Sequence, residues 1–355
     1  MDVVLPDAWT AAIETLANST GPTMLLGAPD TGKTSLCLAL LQRWTESGET
    51  VALMDCDLGQ SEVGPPGSVG LAYATKGVAS FQDLDDEQIE FVGVTSPDRN
   101  PTQFLVSAAL LWSRRRNCDR SVIDTDGHVF GPGARMQKLE LARLLKPSQI
   151  LALQQADEME PLVCLLERTT AAEVVRLTHS PNAARRSPVF RARRRQAKWA
   201  RYFRDATQHI VSLDDVCFAG CRLGSGRALD KALADRLGRV LRTEVLHAEA
   251  LPGALWVVTE SPLPDEAEPR AQELFEVSRV FCTLARDYRG LLCGIAGPEG
   301  HTLAMGVLMG VDFATRRARL LSTIRATQSI ARVTVGLQRI GDDYRDLGTI
   351  RVSQV

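Results

Sequence analysis

The sequence predicts an α/β fold: a parallel sheet with helices on both faces, followed by a β-rich C-terminal domain. Three observations predict it. In the first half of the 355 residues, strand-like apolar runs alternate with amphipathic segments of helical length, the pattern of βαβ units. A glycine-rich loop joins the first strand to the first long helix. From about residue 206 the runs become short, β-favouring and separated by turns.

Taken in order, the apolar runs predict strands at 23–26, 50–54, 90–94, 121–123, 149–153 and 173–177. Between them, 3.6-residue periodicity predicts helices at 33–44, 102–112 and 134–145, the last stopped by Pro147. Further on, strands are expected at 255–259, 289–295, 303–311 and 331–337, with a turn at Gly297-Pro298-Glu299-Gly300. One helix, 228–241, interrupts them, and the acidic stretch 260–269 reads as a surface loop. The expected organisation is a short N-terminal segment (1–20), a first domain (21–205) and a C-terminal domain (206–355).

With 45% hydrophobic and 24% charged residues the chain can bury a sizeable core, which excludes general disorder. Its longest apolar stretches, such as 303–311, fall far short of the ~20 residues of a membrane span. The N-terminus lacks a basic start and a long apolar run, so the expectation is a cytoplasmic protein without membrane contact. A formal net charge of −2 means that a polyanion would have to be met by a local patch. Residues 185–204 supply one, with nine Arg and Lys and no acidic residue. The eight cysteines have no zinc-site spacing and read as free, mostly buried thiols.

Residues 27–34 read GAPDTGKT, matching G-x-x-x-x-G-K-[ST] after a strand and before a helix. In such a loop the backbone N–H groups of Gly27, Ala28, Pro29, Asp30, Thr31, Gly32, Lys33, Thr34 and Ser35, proline excepted, can cradle phosphate. Lys33 would reach the β- and γ-phosphates and the Thr34 hydroxyl would meet Mg²⁺, a pattern that kinases, GTPases, motors and switches share. The next strand ends in MDCDLGQSE, so Asp55 and Asp57 project to one side if the strand continues that far. Either carboxylate could bind magnesium or deprotonate an attacking hydroxyl. For the Arg-rich stretch, charge alone leaves two readings open: a lid (181–204) over bound phosphates, or a solvated helix face.

Five segments in this order resemble the polynucleotide 5′-hydroxyl kinases, the family that includes the tRNA-splicing, pre-mRNA-cleavage and pre-rRNA-processing kinases. They are GAPDTGKT, DCDLGQSE with PPG at 65–67, GVTSP at 93–97, TDGHVFGPG at 125–133 and RARRR at 191–195 ahead of Tyr202 and Phe203. The resemblance covers nearly the whole chain and implies a P-loop kinase core. It implies that Lys33 and Thr34 hold ATP and Mg²⁺, that Asp55 contacts the metal and deprotonates the 5′-hydroxyl, and that Asp57 and Gln60 support it. Arg191 and Arg195 would stabilise the transferring phosphoryl, while Thr125, Gly127 and His128 would meet the acceptor. His128 stands where the family usually has a tryptophan that stacks on a base, and imidazole offers less surface.

The expected function is transfer of the γ-phosphate of ATP to the 5′-hydroxyl end of RNA or DNA. The competing class is a nucleotide-bound RNA-processing assembly or RNA-binding module with weak or no kinase activity. Intact Lys33, Thr34, Asp55 and both arginines oppose it.

Overall fold

A computed structural model describes residues 6–16, 21–180, 185–325 and 330–351. Parts of the expected N-terminal segment, and residues 181–184 of the expected lid, lie outside them. The chain divides into two compact units, Met1–Lys198 and Trp199–Val355.

The first unit runs α1 (Asp7–Leu16), β1 (Thr23–Gly27), α2 (Lys33–Glu46), β2 (Val51–Cys56), β3 (Ser68–Ala74), β4 (Asp85–Phe91), α3 (Pro101–Ser113), β5 (Arg120–Thr125), α4 (Gly131–Leu145), β6 (Gln149–Gln154), α5 (Glu160–Thr169) and β7 (Glu173–Thr178), and α6 (Pro188–Tyr202) begins in it. Its sheet has the order β4-β3-β2-β5-β1-β6-β7. From β2 to β7 along that order every pairing is parallel. β1 and β2 are buried throughout because they lie inside a sheet covered on both faces. Leu25, Leu53, Leu151 and Leu153 pack with Trp9, Ile13, Leu40 and Trp44 of α1 and α2. Their neighbours Met24, Leu26, Met54, Ile150 and Ala152 point the other way and are equally buried.

One part of the sheet differs from expectation. The strand expected at 90–94 is β4, which ends at Phe91 and forms an antiparallel hairpin with β3. β3 itself pairs antiparallel with β2. The sequence hides β3 because Gly70 interrupts it, and that glycine is required: a Cβ there would lie 2.3 Å from the Val63 carbonyl oxygen.

The second unit contains β8 (Thr207–Ser212), β9 (Cys217–Ala219), β10 (Arg227–Ala228), α7 (Lys231–Leu241), β11 (Val245–Leu251), β12 (Ala254–Thr259), α8 (Ala267–Phe275), β13 (Arg279–Leu284), β14 (Leu291–Ala296), β15 (Thr302–Asp312), β16 (Arg317–Ser322), β17 (Arg332–Ile340) and β18 (Asp346–Thr349). It is β-rich, as the sequence predicts. One sheet is β10-β11-β12-β13, covered by α7 and α8; the other runs β18-β17-β14-β15-β16-β8, with β9 beside β17. α7 starts at Lys231 rather than 228 because the Asp230 side chain accepts from Leu233 N at 2.9 Å and caps it. The acidic stretch at 260–269 is a loop only until α8 begins. All eight cysteines are free, but only Cys37, Cys56 and Cys293 are buried.

Candidate active site

β1 delivers the chain into the loop of residues 27–34, and α2 leaves it with Gly32 as N-cap at φ 99°, a left-handed conformation that suits glycine. The loop is packed from below: a Cβ on Gly32 would sit 2.7 Å from the Trp9 ring and 3.0 Å from Ser180 Cβ. Trp9 is buried, donates from Nε1 to the Thr178 carbonyl at 2.8 Å and is a packing residue. Within the loop, Lys33 Nζ donates to the carbonyls of Gly27 (2.8 Å) and Ala28 (3.0 Å), and Thr31 Oγ1 donates to Ala28 at 2.9 Å. Burial pulls the Lys33 ammonium below its ordinary value, opposed by the charges of Asp124, Asp57 and Asp126.

The two carboxylates at the end of β2, Asp55 within the strand and Asp57 just after it, do not share a side. β2 ends at Cys56, so the strand alternation assumed from sequence stops between them. Asp55 is turned under the loop that follows, where its oxygens accept from the N–H groups of Asp57 (2.9 Å) and Val63 (2.9 Å), from Glu62 N, and from Ser61 Oγ (3.1 Å). Burial, then the Asp57 charge, raise it to about 6 against the pull of those N–H groups. Asp57, by contrast, lines a cavity of about 670 Å³ shared with the phosphate loop. Its Oδ1 accepts from Gly59 N (3.0 Å) and Gln60 N (2.9 Å), and burial followed by the charge of Asp126 raises its pKa. Asp57 thus faces the cavity, whereas Asp55, expected to be the base and metal contact, is not among the residues lining it and holds the loop that carries Asp57.

The same cavity is lined by Pro29, Asp30, Thr31, Gly32, Lys33, Thr34 and Ser35, by Gln60, by Thr95 to Pro97, by Gly127 and His128, and by Arg186, Arg191, Arg194 and Arg195. Gln60 donates from Nε2 to the Gly59 carbonyl at 2.7 Å and to the Arg191 carbonyl at 3.3 Å, while its buried Oε1 has no partner. Gly127 touches the phosphate loop so closely that a Cβ would lie 2.6 Å from Pro29 N. His128 is fixed through its backbone N–H, which donates to Asp126 Oδ1 at 2.6 Å, and its buried Nδ1 is unpartnered. Thr125 does not reach the cavity: its hydroxyl donates to the Leu25 carbonyl at 2.7 Å and ties β5 to β1.

The Arg-rich segment is a helix, α6, and its first half is bound to the loops beneath it. Arg191 pairs with Asp30 at 2.6 Å, Arg194 with Glu62, and Lys198 with Glu62 at 2.9 Å. Asp30 also accepts from Arg186 N at 2.9 Å.

Sequence reasoning missed three acidic residues here. Asp124, beside Asp55 on the neighbouring strand, is raised well above its ordinary value by burial and by Asp55, and its Oδ1 has no partner. Asp126 makes a buried ion pair with Lys138 at 2.5 Å. Glu62 anchors α6. Their legible signals were the two acids of DTDGH, 124–128, and the E of GQSE.

A loop that cradles phosphate, a cavity carboxylate and a cationic helix thus meet in one place. The family model of the mRNA cleavage and polyadenylation factor CLP1 P-loop matches residues 27–205. The chain belongs to that family. Among curated relatives, it is similar to the polyribonucleotide 5′-hydroxyl-kinase PF0112 of Pyrococcus furiosus, 28% identical over 330 residues that cover 92% of this chain and 90% of the relative. It is equally similar to TK1956 of Thermococcus kodakarensis, of the same description, at 28% over 98% of this chain and 96% of the relative. Among solved structures, the wild-type Clp1p–Pcf11p complex contains a chain with the same fold, at a TM-score of 0.60 and 13% identity, covering 93% of this chain and 77% of that one. Like this family's P-loop members, the chain uses a nucleotide. No helix among the described residues is long and apolar enough to cross a membrane.

Proposed function

We infer that the chain is an ATP-dependent polynucleotide 5′-hydroxyl kinase whose acceptor is the 5′-hydroxyl end of RNA. The observation that carries the reading is the convergence of Lys33, Asp57 and three α6 arginines on one cavity. The archaeal relatives named as polyribonucleotide kinases support RNA over DNA.

In this reading the catalytic domain is 21–205, acting in the cytoplasm. The N–H groups of the phosphate loop and Lys33 hold the triphosphate, so that the γ-phosphoryl is presented toward Asp57. When bound, Mg²⁺ would supply charge neutralisation to the triphosphate. Such an ion keeps most of its ligands as phosphate and water, and needs only one or two from protein. Thr34 in the cavity and Asp124, a buried carboxylate with an unpartnered oxygen, fit that need; Asp55, with both oxygens occupied, does not. The acceptor's 5′-oxygen attacks the γ-phosphorus in line, the bond to the bridging oxygen breaks, ADP leaves, and the hydroxyl proton passes to Asp57. Asp55 positions Asp57 through the loop it holds. Arg191 and Arg195 neutralise the transferring phosphoryl, and Gln60, Gly127 and His128 face the acceptor.

The test is incubation with γ-labelled ATP and matched 5′-hydroxyl RNA and DNA oligonucleotides. Label should appear on the RNA 5′ end. Tight ATP binding with no label on either polymer would replace the kinase with a nucleotide-bound binding module.

A further inference from the structure

Prolines aside, the large apolar side chains that line the cavity are Leu38 and Phe81, both packed against the core beneath it. Leu38 lies one helical turn after Thr34 on the same face of α2, about 6 Å further along the axis. Phe81 opens a 3-10 turn, Phe81–Asp83, between β3 and β4, and this turn is built to hold its ring. The Asp83 carboxylate accepts from Ala79 N (2.9 Å) and Ser80 N (2.8 Å), and Ser80 Oγ accepts from Gln82 N at 3.3 Å. Gln42 of α2 donates to the Ala79 carbonyl at 3.4 Å, and buried Val78 anchors the segment in the core. Phe81 is left half-buried, one edge against that core and the remainder in the cavity.

The sheet order decides which reactant this stretch serves. Counting from β1, Asp57 and the β3–β4 connection lie on the same side of the sheet; that connection leaves β3 at the end away from Asp57, runs beside α2 at Gln42 and brings Phe81 to the cavity, while β6 and β7 are on the other side, where Trp9 and Ser180 close against Gly32. In-line transfer brings the attacking oxygen in opposite the departing ADP. The body of the acceptor therefore extends on the Asp57 side.

We propose that Leu38 and Phe81 form the seat of the acceptor's 5′-terminal nucleobase, with the Phe81 ring stacked on its face. The proposal rests on the kinase reading and adds what that reading lacks, a surface for the base where His128 offers little. Stacking is tolerant of sequence, because every base has a π-face, so all four 5′-terminal bases are accepted.

Phe81→Ala, with Phe81→Leu as a variant that keeps apolar packing but not the π-face, is compared with the unaltered protein on three acceptors. For an ordinary 5′-hydroxyl oligonucleotide, KM should rise about ten-fold or more in both variants, while the ATP KM stays unchanged. For an oligonucleotide whose 5′-terminal nucleotide is abasic, all three proteins should share the same raised KM. A 5′-terminal 2-aminopurine should be quenched on binding to the unaltered protein and not to either variant, a readout that does not need turnover. A raised ATP KM with an unchanged oligonucleotide KM would overturn the proposal and make this the adenine seat. Equal losses with and without the base would also overturn it and leave Phe81 a packing residue. Quenching without any transfer would sink the kinase reading and keep the base seat; transfer that is indifferent to Phe81 would do the reverse.

Discussion

The phosphate loop and the first half of α6 face the same cavity but are held by different forces. The loop is fixed by close packing: Gly32 on Trp9 and Ser180, Pro29 against Gly127, Lys33 folded onto the Gly27 and Ala28 carbonyls. α6 is held over it by partly exposed ion pairs to Asp30 and Glu62. Such pairs are individually weak and screened by salt, whereas packing at van der Waals distance is neither. The contrast teaches that the cradle is the fixed half of the site and the cationic helix the adjustable half.

The sharpest way to test that division is to remove the cation from the adjustable half. Arg191→Ala should lower turnover at saturating ATP by about 10³-fold, the lower end for arginines that neutralise a transferring phosphoryl. Arg201→Ala, also on α6 but not at the cavity, should change it less than about two-fold. Equal and mild losses would return α6 to a solvated face.

On the fixed side, Asp57→Asn should retain ATP binding and lose about 10² to 10⁴ in turnover. Because Asp57 is raised above the ordinary carboxylate value, turnover of the unaltered enzyme should rise with pH on a limb displaced upward from that value. Asp55→Asn should act through stability instead. A carboxyl raised to about 6 in the fold contributes stability that is complete below its unfolded value of about 3.9 and lost as pH rises through 6. The difference in thermal midpoint between the unaltered protein and Asp55→Asn should therefore shrink or change sign from pH 4 to 7. A pH-independent difference would contradict the burial argument.

A smaller effect is expected at His128. His128→Trp should lower the oligonucleotide KM several-fold without changing that of ATP, since indole stacks over more area. Smallest is Asp30→Asn, which keeps the left-handed backbone of φ 61° that Asn tolerates and frees Arg191. The ATP KM should fall about two-fold at low salt and the difference should vanish at high salt.

What the sequence disclosed follows the range of the forces involved. The phosphate loop was legible because its chemistry is local backbone geometry, set by glycines at fixed spacing between a strand and a helix. The β-rich second unit was legible from composition and turns. The different surroundings of Asp55 and Asp57 were not, since they depend on where β2 stops, and its last pair is Cys56 with Thr125 of β5. Asp124 and Glu62 stood in legible acidic motifs, but their contacts, like those of Phe81, were not legible. Asp124 meets Asp55 across the sheet, Glu62 meets α6, and Phe81 meets the core beside α2.

The contact of Gly127 with Pro29 has a thermodynamic consequence. One edge of the nucleotide cradle is in van der Waals contact with the loop that presents His128, so neither can shift without the other. If occupancy of the cradle by ATP alters the affinity for the RNA end by some factor, the RNA end alters the affinity for ATP by that same factor. A larger residue at 127 would break this linkage first, making the two ligands bind independently before either binding event is lost.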